Sequence, residues 1–214
     1  MQIYDKLLGI PLFQGMSSGD LQEVVTKVKF GFDRYRKKEN VVRQGMPCKA
    51  LYFLLDGELE VLTRADDDSF LLTETLQAPA ILQPERLFGL DQHYTRSYTA
   101  TQTSHLLTIR KDDILLLADL FLVFRINLLN LLTHHAQKLE SNLLSPAPLS
   151  LREHIMRFLR EHSSTPSGEK VMRIKMVTLA QYLHASRLDV SVELNAMHDE
   201  GLIRLQRGMI TYWT

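Results

Sequence analysis

The chain has 214 residues, 45% of them hydrophobic, and its 25 Lys and Arg are balanced by 25 Asp and Glu. That length holds two small domains, each with a core, and a net charge of zero names neither a nucleic acid nor an anionic surface as partner. One cysteine, Cys48, excludes an internal disulfide framework and a four-cysteine iron–sulfur site within one chain, and the stretch Met1 to Gly9 lacks the features of a secretory signal, so a reducing cytoplasm is the expected location.

Ser17-Ser-Gly-Asp20 is a cap signal ahead of Leu21, Val24, Val25 and Val28, which predicts a short amphipathic helix. Short β-prone runs follow at Val41-Val42, Leu51–Leu55, Glu58–Leu62, Phe70–Leu72 and His105–Ile109, with Ala78–Thr95 irregular between them. Close, regular spacing of short strands predicts an antiparallel sandwich or barrel. Asp56-Gly57, between two apolar runs, predicts a hairpin.

From Asp112 the apolar period becomes helical and continues to about Leu144, some 30 residues and hence ~45 Å of helix. Leu117, Phe121, Phe124, Leu128 and Leu131 recur every three or four residues as a seam that would pair with a copy of itself or cover the β-domain. Ile114–Leu132 approaches the length of a membrane span, yet Asp119, Arg125, Asn127 and Asn130 fall inside it. Each charge at bilayer depth costs ~2.5–3.5 kcal/mol, so a helix buried in protein is expected and no membrane. Ser145-Pro-Ala-Pro148 breaks the helix as a hinge. Ser150-Leu-Arg-Glu153 is a capping box that opens a helix to about His162, and Val171–Lys175 is a strand.

Thr178 to Met197 carries the sharpest functional signal. Leu179, Ala180 and Leu183 share one face of a first helix, and Val190, Leu194 and Met197 one face of a second. Ser186 followed by Asp189 marks the start of the second helix, with Arg187 in its first turn, where recognition helices present side chains to base edges. Gly201 ends it, and Leu202–Gln206 and Met209–Trp213 flank Arg207-Gly208 as a wing. From Leu149 to Thr214 there are 9 Lys and Arg against 7 Asp and Glu, a weak electrostatic footprint for DNA.

The order of parts resembles the Crp–Fnr transcription regulators over almost the whole chain, through Pro11-Leu-Phe13, Gln44-Gly45, Leu51-Tyr-Phe-Leu-Leu-Asp-Gly57, Thr178-Leu-Ala180, Ser186-Arg187 and Glu200-Gly-Leu-Ile203. The resemblance implies an α+β fold. It comprises an antiparallel sensor β-roll of the double-stranded β-helix, jelly-roll-like kind (1–111), a dimerisation helix (112–144), a hinge (145–148) and a winged helix-turn-helix (149–214). It further implies a homodimer on a palindromic operator in double-stranded DNA, with RNA polymerase a candidate partner. Thr178, Ser186, Arg187, Leu188, Asp189, Ser191 and Asn195 become the DNA-binding set. Ser186 matches the family's cap and phosphate contact, and Arg187 its guanine-reading arginine. Leu188 stands where many members have a glutamate and can offer only apolar contact, so an altered operator is expected. Asp189 caps the helix or reads cytosine. His184 stands at the family's turn glycine.

In the family's phosphate-binding cassette this chain offers Pro84-Glu85 and Arg96-Ser97-Tyr98, so Glu85, Arg96, Ser97 and Tyr98 are the candidate effector pocket. Pro84 replaces a glycine and removes an N–H donor, and Tyr98 replaces a small residue, so the effector is expected not to be cyclic AMP. No cofactor or metal is expected, only an unidentified small-molecule effector: Cys48 alone cannot bind a cluster, and His134 and His135 point apart on a helix. No nucleophile–base set or phosphate loop is visible, which argues against an enzyme. The competing expectation is a ligand-binding or protein-interaction module whose helix-turn-helix no longer binds DNA.

Overall fold

The computed structural model describes residues 7–143 and 147–213. Ser17 opens α1 (Ser18–Lys27) with a reciprocal cap: the Asp20 N–H donates to Ser17 Oγ and the Ser17 N–H to the Asp20 carboxylate, both at 3.1 Å. Eight strands follow: β1 (Gly31–Tyr35), β2 (Asn40–Val42), β3 (Ala50–Asp56), β4 (Glu58–Arg64), β5 (Phe70–Gln77), β6 (Ala80–Ile81), β7 (Arg96–Ala100) and β8 (Ser104–Arg110). They form an antiparallel roll. One sheet runs β1-β8-β3-β6, and β5, β4, β7 and β2 lie in the other.

Asp56-Gly57 is not a hairpin. β3 pairs with β8 and β6 while β4 pairs with β5 and β7, so the dipeptide turns a corner between two sheets. Gly57 holds φ +96°, and a Cβ there would lie 2.4 Å from Ser104 Oγ, so both the turn and the close approach require glycine. Beside it, Ser104 Oγ donates to the Glu58 carbonyl and accepts from the Glu58 N–H, each at 3.1 Å.

The expected single long helix is two. α2 (Lys111–Leu120) ends at Phe121, whose backbone is extended, and α3 (Leu122–Leu143) begins after it. Arg125 Nη2 donates to the Asp119 carbonyl at 3.0 Å and its Nε to that of Ala118, satisfying acceptors that the break leaves open. Asn127 Nδ2 ties α3 to the N-terminal turn through the carbonyls of Leu12 (3.2 Å) and Gln14 (2.8 Å). Of the expected dimer seam, Leu117, Phe121, Phe124 and Leu128 are instead buried in the roll's own core, with Leu131 packed against it. The ring of Phe124 lies 5.3 Å from that of Phe13, tilted by 54°. That apolar face therefore covers the β-domain. The outward apolar side chains are Leu115, Leu116, Leu120, Leu122, Val123, Ile126 and Leu129.

The expected hinge falls partly outside the described residues, which resume at Ala147. Ser150 caps α4 (Leu151–His162) by accepting from the Glu153 N–H. Then come β9 (Glu169–Ile174), α5 (Met176–Tyr182), α6 (Arg187–Asp199) and the hairpin β10 (Ile203–Gln206) and β11 (Met209–Trp213). The C-terminal parts are hydrogen-bonded to the roll through a strand pair. β9 pairs with β5 from Phe70↔Ile174 to Glu74↔Lys170, so one seven-stranded sheet, β10-β11-β9-β5-β4-β7-β2, joins the roll to the C-terminal unit. Phe70 and Leu72 of the roll enter the second core with Ile155, Leu159, Val190, Leu194 and Met197. One rung crosses all seven strands: Val42, Tyr98, Val61, Glu74, Lys170, Tyr212 and Ile203 lie opposite one another in turn, and all are buried.

Candidate nucleic-acid interface and roll interior

α6 is built to stand with one face inward and one outward. Ser186 Oγ accepts from the Asp189 N–H at 3.1 Å and donates to the Asp189 carboxylate at 2.7 Å, so Asp189 completes the cap. Val190, Leu194 and Met197 are buried, which fixes the helix's rotation about its axis. The turn before it is made by His184 at φ +50°, a left-handed position that histidine tolerates. Gly201, at φ +77°, ends the helix: its N–H donates to the His198 carbonyl and that of Leu202 to Met197.

The orientation is locked from behind by a residue that the sequence did not single out. Arg152 of α4 donates from Nε to Glu193 at 2.6 Å and from Nη1 and Nη2 to the Glu200 carboxylate at 2.6 and 2.7 Å. Those bonds raise the Arg152 guanidinium's affinity for its proton and hold the Glu200 carboxyl below its ordinary value. Glu193 and Glu200 are thereby tied to α4, and the outward face keeps Arg187, Leu188, Ser191, Val192 and Asn195.

These side chains differ in what they can offer. Arg187 is exposed in the first turn, and a guanidinium suits bidentate contact with guanine. Leu188 is 72% exposed and Val192, one turn on, 62%. Asn195 Nδ2 donates to the Ser191 carbonyl at 2.7 Å within the same helix. Thr178 lies half-buried on α5. At the wing, Gly208 takes φ +73°, Arg207 is exposed, and Arg204 stacks its guanidinium 5.0 Å from the Trp213 ring. Val192, Arg204 and Trp213 are further exposed side chains, outside the DNA-binding set read from the sequence. Val192 is visible in the sequence only as a residue between two core positions.

Inside the roll, β7 lies against β4 with Arg96 opposite Thr63 and Tyr98 opposite Val61. Arg96 and Glu85 both lie near enough to the Tyr98 phenol for their charges to act on it, so Glu85, Arg96 and Tyr98 are neighbours. Ser97 does not join them. Strand alternation turns it to the other face, where its Oγ accepts from the Gln44 N–H at 2.9 Å. Burial pushes the Tyr98 phenol well above its usual range, and Arg96 offsets only part of that. Thr63 Oγ1 and Arg96 Nε are buried without a hydrogen-bond partner. These residues fit a cyclic nucleotide poorly: Tyr98 puts a bulky ring, buried in the roll's core, beside Arg96, and Pro84 carries no N–H to offer a phosphate. Among the described residues no group of three or more His, Cys, Asp or Glu is placed to hold a metal ion.

Residues 32–119 match the family model of the cyclic nucleotide-binding domain. In structure the chain is similar to the catabolite activator protein of Thermus thermophilus, with a TM-score of 0.53 and 22% identity over 95% of this chain and 93% of that one. It is also similar to DNR from Pseudomonas aeruginosa, with a TM-score of 0.50 and 20% identity over 99% of this chain and 94% of that one. The sensor domain of that transcriptional regulator gives a TM-score of 0.53 and 20% identity over 68% of this chain and 94% of its own. No curated protein matches the sequence. The shared feature is the fold: an antiparallel roll followed by helices in a mixed α+β arrangement.

Proposed function

From a cyclic nucleotide-binding domain carried in the fold of the Crp–Fnr regulators, we propose that this chain is a sequence-specific DNA-binding transcription regulator that acts as a homodimer. The observation that carries the reading is α6: capped at Ser186, fixed by three buried residues and braced by Arg152, it leaves Arg187 and its neighbours exposed on one face. A helix so held is suited to lie in a major groove, with two copies reading half-sites one helical turn apart. The apolar side chains Leu122, Val123, Ile126 and Leu129 on the outer face of α3 supply the two-fold contact. DNA is then a ligand that is bound and not a substrate that is transformed, and RNA polymerase is a further partner. Cytoplasmic location accords with that role; among the described residues no helix is long and apolar enough to cross a membrane.

The roll serves as sensor or scaffold, and its effector is other than cyclic AMP, because Tyr98 and Pro84 oppose a cyclic phosphate. One observation favours the rival reading of a protein-interaction module: two large apolar side chains lie exposed on α6. Fluorescence anisotropy on random 26-base-pair duplexes, taken through rounds of selection at low salt, separates the two. A selected palindrome whose affinity falls steeply with added salt supports the regulator, whereas no affinity for any duplex at low salt overturns it.

A further inference from the structure

The exposed face of α6 carries two large apolar side chains among its polar ones. Leu188 and Val192 are one helical turn apart, 72% and 62% exposed, on the same outward face as Ser191. The core does not need them, since Val190, Leu194 and Met197 already fill it. The neighbouring acids are engaged elsewhere: Arg152 holds Glu193 and the C-cap Glu200 toward α4, and Asp189 is bonded to Ser186 in the cap. Arg187 precedes them and supplies a guanidinium in the first turn.

In the major groove the apolar group displayed by a base edge is the C5-methyl of thymine; the remaining features are hydrogen-bond donors and acceptors. A leucine and a valine pressed against those donors and acceptors would bury them unsatisfied, which penalises every base but thymine. Resting on the DNA reading above, we infer that Leu188 and Val192 are specificity-determining residues that read thymine methyl groups beside a guanine read by Arg187. The operator half-site is therefore a guanine flanked by thymines, without the cytosine that an acidic side chain at residue 188 would select.

The test changes the DNA before it changes the protein. In the duplex selected as above, each thymine of a half-site is replaced in turn by deoxyuridine, which pairs as thymine does but lacks the methyl. Affinity of the full-length protein should fall about three- to fivefold at the thymines facing Leu188 or Val192, the scale of one buried methyl. Leu188→Ala and Val192→Ala should each bind the parent duplex more weakly and lose the response to uracil at one position. If the selected duplex is bound in a salt-sensitive way and uracil has no effect anywhere, thymine reading is overturned while DNA binding stands. If no duplex is bound at low salt, both fall, and the stripe is a protein-docking face.

Discussion

Glu74 and Lys170 face each other across the junction of β5 and β9 with side chains 0% exposed and Oε1 3.9 Å from Nζ. Neither is left to the other alone. The Glu74 carboxylate accepts from the N–H and hydroxyl groups of Ser164 and Thr165 at 2.6–3.1 Å. Lys170 Nζ donates to Thr165 Oγ1 at 2.9 Å and to the Ser167 carbonyl at 3.3 Å. Roll and C-terminal unit are thus joined by a buried, hydrogen-bonded charge pair in addition to a strand ladder.

Removing one member leaves the other buried without its counter-charge, though still hydrogen-bonded. Glu74→Leu and Lys170→Met should each destabilise the protein by about 3–5 kcal/mol, and the double variant by clearly less than the sum. Urea unfolding of the parent, both single variants and the double variant measures the coupling. Additive losses would mean that the pair is not a unit.

The two faces of α3 predict opposite failures. Ile126→Glu, on the outer face, should leave the fold intact and yield monomers in sedimentation velocity. Phe124→Ala, on the inner face against Phe13, should cost about 3–5 kcal/mol of stability without selectively dissociating the dimer. An Ile126→Glu protein that remains dimeric would move the two-fold contact off this face.

Arg187→Ala should lower affinity for the selected operator by about ten- to a hundredfold per guanine contact and leave non-specific binding nearly unchanged. Anisotropy against operator variants is the measurement. Equal losses on all duplexes would reassign Arg187 to phosphate contact.

Tyr98 predicts that cyclic AMP leaves the parent's melting temperature unchanged in a thermal-shift titration, because a ring buried in the roll's core stands beside the arginine that a cyclic phosphate would need. Tyr98→Ala should lose about 3–5 kcal/mol of stability by opening a cavity. A saturable upward shift of the parent with cyclic AMP would contradict the poor fit.

The Arg152–Glu200 contact predicts an acid-side loss. The Glu200 carboxyl is held below its ordinary value by the Arg152 hydrogen bonds, so its contribution is full above the unfolded glutamate value of about 4.3 and is lost as pH falls through the lowered folded value. Exposure keeps that contribution small. The difference in melting temperature between the parent and Glu200→Gln should be positive near neutrality and vanish in strong acid; a difference independent of pH would rule the linkage out.

What the sequence disclosed was what is local. The caps at Ser17, Ser150 and Ser186, the turn at His184 and the stop at Gly201 depend on residues a few positions apart, and each is found where expected. Partners distant in the chain were not legible. Asp56-Gly57 has a hairpin's composition, but a corner between sheets demands the same glycine. β1, with three exposed residues in five, has no apolar alternation to reveal it. A helical period shows that Leu117, Phe124 and Leu128 share a face, not whether that face meets a second copy or the roll. The pairing of Glu74 with Lys170 spans almost a hundred positions and leaves no mark on either side.

The shared sheet also bears on how the molecule can be divided. Because β9 lies between β11 and β5, a fragment beginning near Leu149 would present β9 with an open row of N–H and C=O groups, and Lys170 with no carboxylate opposite. Such an edge is a template for another chain. Limited proteolysis of the linking segment should accordingly leave the two pieces held together through chromatography, and the C-terminal unit would come free only on denaturation.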